Sequence, residues 1–191
     1  MGGRRQTHPL CSYGLLLAAL FLWGCSEEVE RVGKHRFRVP PENLIPESER
    51  PFFLPEPEED GFSFLLNPTA ARTEQRSVLV QEREMICARA RGLKARVNST
   101  ICAPEEVEWR GRRWLRNGNE THWTYSPEMP SGSPAPFVSC FKMTIPDHPG
   151  LCSATLPADD LALTINLNAD ELPALEATYE RAVSALRIWE E

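Results

Sequence analysis

Glu120 and His122 stand two positions apart in Asn119-Glu120-Thr121-His122. Side chains at i and i+2 share one face of a strand, so a strand here would set a carboxylate beside an imidazole. Such a pair can relay a proton, and a hydrolase using Glu120 and His122 is the catalytic reading of the chain. No third group completes a constellation at a recognisable spacing. Gly-x-Ser-x-Gly, His-Glu-x-x-His, the phosphate-cradling loop and the dinucleotide glycine pattern are absent from the sequence. His35 alternates with Phe37 and Val39 and reads as a packed residue. His148, between Pro146-Asp147 and Pro149-Gly150, reads as part of a turn.

Cys87, Cys102, Cys140 and Cys152 are spaced by 15, 38 and 12 residues. None of these is the short spacing of a structural zinc site, so no metal and no other cofactor is expected. Four cysteines allow three pairings. Cys140 and Cys152 are centred on residue 146, inside a Pro-Asp-His-Pro-Gly turn, and Cys87 and Cys102 also bracket a turn. Directly opposed residues of a hairpin lie within disulfide reach, which favours Cys87–Cys102 and Cys140–Cys152.

Two stretches have the composition of a contact surface. Trp109, Trp114 and Trp123 fall within fifteen residues around Asn117-Gly118, a hairpin signal. Indoles anchor partners in some proteins and fill cores in others. Residues 46–60 are rich in proline and acid, and Glu56, Glu58 and Glu59 there are suited to steering a basic partner.

The elements that must position these residues follow from periodicity. Alternation predicts strands at 35–39, 61–66, 77–81, 85–91 and 96–102. Hairpins are expected to pair 112–116 with 120–125 and 137–145 with 151–156. Leu161, Leu163, Ile165 and Leu167 alternate with polar or small residues and predict a strand with one buried face. Asn168 then caps a helix, with Glu171 closing a capping box. Leu172, Leu175, Tyr179, Ala182, Val183, Leu186 and Trp189 form its apolar stripe. The fold class is therefore α+β: an antiparallel, strand-rich sheet with one C-terminal amphipathic helix packed on it.

The first 25 residues carry an address. Arg4 and Arg5 precede an apolar run of 11 residues from Gly14 to Gly24, and no acid occurs before Glu27. A membrane-spanning helix needs roughly 20 apolar residues, so the run has the dimensions of a secretory signal. Its end, Leu22-Trp23-Gly24-Cys25, resembles the lipobox of bacterial lipoproteins. That resemblance implies cleavage before Cys25 and lipid on its thiol and new N-terminus. Ser26 in the next position implies sorting to the outer membrane, at its periplasmic face. Cys11 would leave with the signal, and the four remaining cysteines suit an oxidising compartment.

On this reading 1–24 is the signal peptide, 25–33 a lipidated tether and 34–191 a single globular domain. The whole chain carries a net charge of −6. That balance argues against a nucleic-acid partner and against electrostatic attachment to anionic lipid, leaving the lipid anchor as the link to the membrane. The expected role is non-catalytic recognition of a protein partner. In general build the chain resembles immunity lipoproteins and envelope-assembly accessory factors. The alternative is an envelope hydrolase using Glu120 and His122.

Overall fold

The computed structural model describes residues 29–45, 61–93, 101–102, 108–128 and 137–191. Its strands are β1 (Val29–Val32), β2 (His35–Arg38), β3 (Gly61–Leu65), β4 (Ser77–Glu82), β5 (Trp114–Gly118), β6 (His122–Pro127), β7 (Val138–Phe141), β8 (Leu151–Ala158) and β9 (Leu161–Asn168). Its α-helices are α1 (Arg83–Leu93) and α2 (Leu175–Trp189). Seven strands form one antiparallel sheet in the order β3-β4-β9-β8-β7-β6-β5, and β1 and β2 form a separate hairpin. The class is α+β, as the periodicity predicts.

Alternation along each strand becomes rows across the sheet. One row runs Phe62, Val80, Leu163, Leu156, a second Phe64, Val78, Ile165, Ala154, Val138, and a third Leu167, Cys152, Cys140, Trp123. All of these side chains are buried. The opposite face carries hydroxyl and amide groups tied to one another. Asn166 Nδ2 donates to Ser77 Oγ at 3.0 Å, Ser153 Oγ donates to Asn166 Oδ1 at 3.0 Å, and the Thr155 and Thr164 hydroxyls lie 3.1 Å apart.

The apolar rows are covered by α2. Leu175, Tyr179, Ala182 and Leu186 are buried, and Tyr179 donates its hydroxyl proton to the Pro157 carbonyl at 2.6 Å. Trp189 meets Phe64 edge to face at 4.9 Å. The chain enters α2 through a 3₁₀ turn, Ala169–Ala174, that contains Pro173. Asn168 and Glu171 form the predicted capping box, Glu171 accepting the Asn168 backbone N–H at 2.8 Å, and Glu171 is also ion-paired with Arg76. Both predicted disulfides are present, Cys87–Cys102 and Cys140–Cys152, the second joining directly opposed residues of β7 and β8.

Four local expectations are corrected. Residues 85–91 are helical within α1, because Glu84, Met85, Ala88, Arg89 and Ala90 are strong helix formers whose summed preference outweighs a short alternation. The 96–102 strand lies mostly outside the described residues, and its last two, Ile101 and Cys102, form a turn. The Asn117-Gly118 pair does not make a two-residue turn: Gly118 still pairs with Trp123, and the chain reverses through 119–121. Residues 29–33, assigned to the tether, belong to the fold. Val29–Val32 pairs with β2, and Val32 is fully buried.

The hairpin of β1 and β2 is fastened to the far end of the chain. Phe37 forms a β-bridge with Glu190, and the Glu191 N–H donates to the Arg36 carbonyl at 3.0 Å. Arg38 Nη2 donates to Glu191 Oε1 at 2.6 Å.

Candidate functional site

Why the β5–β6 hairpin turns where it does follows from Asn119. Its Oδ1 accepts the Thr121 N–H at 2.9 Å, the His122 N–H at 2.8 Å and the Thr121 hydroxyl at 2.9 Å. A short polar side chain that satisfies backbone donors ahead of it favours a turn over a ladder. Gly118, at φ +112°, lies so close to β6 that a Cβ there would fall 2.5 Å from the His122 carbonyl oxygen.

Glu120 therefore lies in a turn and not on a strand. No hydrogen bond joins it to His122, whose Nδ1 is 3.3 Å from the Thr121 hydroxyl. Glu120 lines a concavity of about 450 Å³ with Arg116, Trp123, Tyr125, Lys142 and His148; His122 does not line it. The structure does not bring the proposed acid–base pair together.

The indoles are mostly used inside. Trp109 is 5% exposed and packs on Trp114, Phe137 and Tyr179, with ring centroids 6.2, 6.5 and 5.2 Å away. Trp123 is 6% exposed, and the Arg116 guanidinium covers it at 4.9 Å. Gly150 makes room for it, since a Cβ there would fall 2.7 Å from Trp123 Cη2. Trp114 is half-buried. Trp109 precedes β5 and packs its ring on Tyr179 of α2, whereas strand alternation places Trp123 in an apolar row, against Gly150 of the β7–β8 hairpin. Cys25, Glu56, Glu58 and Glu59 lie outside the described residues.

The end of β7 and its connection to β8 carry apolar side chains outward, as α2 does at Ile188. Phe141 is 38% exposed and Ile145 is 55% exposed. Ile145 lines a second concavity, formed by Thr121 and residues 142–148. Lys142 and His148 line both hollows, so this connection is the wall between them. The Lys142 N–H donates to the Thr121 carbonyl at 2.9 Å and ties the wall to the β5–β6 turn. His148 Nδ1 accepts the Gly150 N–H at 3.0 Å, fixing the ring within its own turn. The Cys140–Cys152 bond clamps the base of the connection. Sequence reading missed Phe141 and Ile145 as surface residues because they continue an apolar run that resembles a strand through 145.

A second polar cluster lies at the N-terminal hairpin. His35 places Nδ1 2.5 Å from Glu190 Oε1 and Nε2 2.8 Å from Asp160 Oδ1, and Lys34 Nζ is 2.8 Å from Asp160 Oδ2. The cluster joins three separated parts of the chain, and its bonds are those of a structural tie. Among the described residues no group of His, Cys, Asp and Glu has the geometry of a metal centre. No described helix is long and apolar enough to cross a membrane.

No protein-family model matches this chain, and no curated protein is similar to it in sequence. Its fold is similar to the solved structure of Smlt3025, an immunity protein of the Stenotrophomonas maltophilia type IV secretion system. The two share 12% sequence identity at a TM-score of 0.50, over 86% of this chain and 93% of that chain.

Proposed function

We propose that this protein is a lipid-anchored binding domain of the bacterial envelope that recognises a protein partner, in the manner of an immunity protein. The observation that carries the reading is the braced β7–β8 connection. It presents exposed Phe141 and Ile145 from a strand pair clamped by Cys140–Cys152. A rigid apolar projection loses little conformational freedom on docking. The likeness of fold to an immunity protein supports the same reading. The lipobox-like ending at Cys25 and the serine after it favour anchoring at the periplasmic face of the outer membrane.

The test is saturable capture from envelope extract of the producing cells. The purified domain is expected to retain one partner, and a Phe141→Ser, Ile145→Ser double variant with unchanged circular dichroism is expected to lose it. Capture unaffected by the double variant, or Glu120-dependent hydrolysis of an envelope substrate by the wild type, would overturn the reading.

A further inference from the structure

Arg116 and Lys142 come from different strand pairs, yet both line the concavity between the β5–β6 turn and the β7–β8 connection. Arginines elsewhere between residues 72 and 116 are matched: Arg76 with Glu171, Arg110 with Glu180, Arg112 with Glu108 and Arg113 with Glu128. Arg116 instead donates to the Asn119 carbonyl at 3.3 Å and lies over Trp123, and Lys142 Nζ forms no ion pair with a described carboxylate. Glu120 shares the hollow without closing on either cation. Arg116, Lys142 and Glu120 together contribute +1 to the hollow, on a chain whose net charge is −6.

Trp123 adds a second, independent observation. It lines the same hollow, and its Nε1–H is buried with no acceptor. An unmet buried donor is unfavourable, and the indole that carries it lies under the Arg116 guanidinium.

Resting on the protein-binding reading above, we infer that this hollow receives a single carboxylate side chain from a surface loop of the protein partner. One carboxylate brings the hollow to neutrality, and Arg116 meets it with a planar fork that matches two oxygens. An apolar neighbour of that carboxylate then reaches Ile145 and Met143 in the adjoining concavity. Asp147 on that side disfavours a second acid there, so the motif is one acid followed by an apolar residue rather than a polyacidic run.

The probe is the capped peptide acetyl-Gly-Glu-Leu-Gly-amide, titrated into the folded domain while the Trp123 indole N–H is followed by NMR. Saturable movement of that resonance is expected, with about tenfold weaker binding in Arg116→Gln, Lys142→Gln. Glu120→Gln, in an exposed turn, should bind the peptide more tightly because it removes a like charge. The lysine peptide acetyl-Gly-Lys-Leu-Gly-amide is expected to leave the resonance in place, and inorganic phosphate, which offers the oxygens without the apolar neighbour, to move it more weakly than the glutamate peptide. An unmoved resonance at millimolar glutamate peptide, equal binding by the double variant, weaker binding by Glu120→Gln, or an equal response to phosphate would each overturn the inference. The broader reading fails separately: partner capture that survives Arg116→Gln, Lys142→Gln but not Phe141→Ser, Ile145→Ser refutes the carboxylate hollow alone.

Discussion

His35 sits between two carboxylates, and carboxylate oxygens only accept. Both ring nitrogens must therefore donate, which makes the imidazole a cation here. The hydrogen bond to Glu190 raises its pKa above the ordinary 6.5, helped by Asp160. In turn the Lys34 ammonium, with His35, holds Asp160 down at about 2, from an ordinary 3.8. The signs of the two effects differ. A raised histidine contributes stability that is complete below 6.5 and is lost as pH rises through its folded value. A depressed carboxylate contributes above 3.8 and is lost as pH falls through about 2. The N-terminal hairpin should thus be held most firmly at mildly acidic pH and loosen toward alkaline pH. Amide exchange in β1 and β2 should quicken from pH 6 to pH 9 beyond its intrinsic base catalysis. In His35→Asn that extra acceleration should vanish, and its persistence would mean that another group is responsible.

Among the elements, α2 allows a direct comparison of faces. Leu186 is buried against the sheet and Arg187, one position round, is exposed. Leu186→Ala should destabilise by about 2–5 kcal/mol in urea melts, and Arg187→Ala by less than about 0.5 kcal/mol. The β7–β8 pair makes a second prediction. Closing its 12-residue separation should contribute about 3 kcal/mol through the unfolded chain, so Cys140→Ala, Cys152→Ala should lower the urea midpoint without changing the native circular dichroism. These elements were legible in the sequence because their periods are clean: β9 alternates over eight residues, and the stripe of α2 then repeats at helical spacing. α1 was not, since a seven-residue window of small and basic residues satisfies both periods and only composition separates them. The hollow was not legible either. Arg116 and Lys142 meet through strand order, a property of the sheet and not of any local window, and the burial of Trp109 and Trp123 depends on what packs over each face.

For the whole molecule, the outstanding prediction concerns attachment. Wild type should incorporate a radioactive fatty acid and Cys25→Ser should accumulate as an unprocessed, unlabelled precursor; equal labelling of both would remove the anchor from the account. With the hairpin folded from Val29, only residues 25–28 would separate such an anchor from the domain. The fastening of that hairpin has a further consequence, for connectivity. Val29 lies opposite Arg38 on one edge of β2, and Glu191 lies opposite Arg36 on the other. Two strand spacings across and two residues along put these positions roughly 12 Å apart. A linker of about four to six residues spans that gap without strain, so residue 191 can be joined through it to residue 29. The chain can then be cut afresh in the exposed turn at Glu120, leaving the sheet order intact. Such a circular permutant would carry its new ends beside the concavity of Arg116 and Lys142, turning that end of the sheet into a site for fusing a reporter or a second domain.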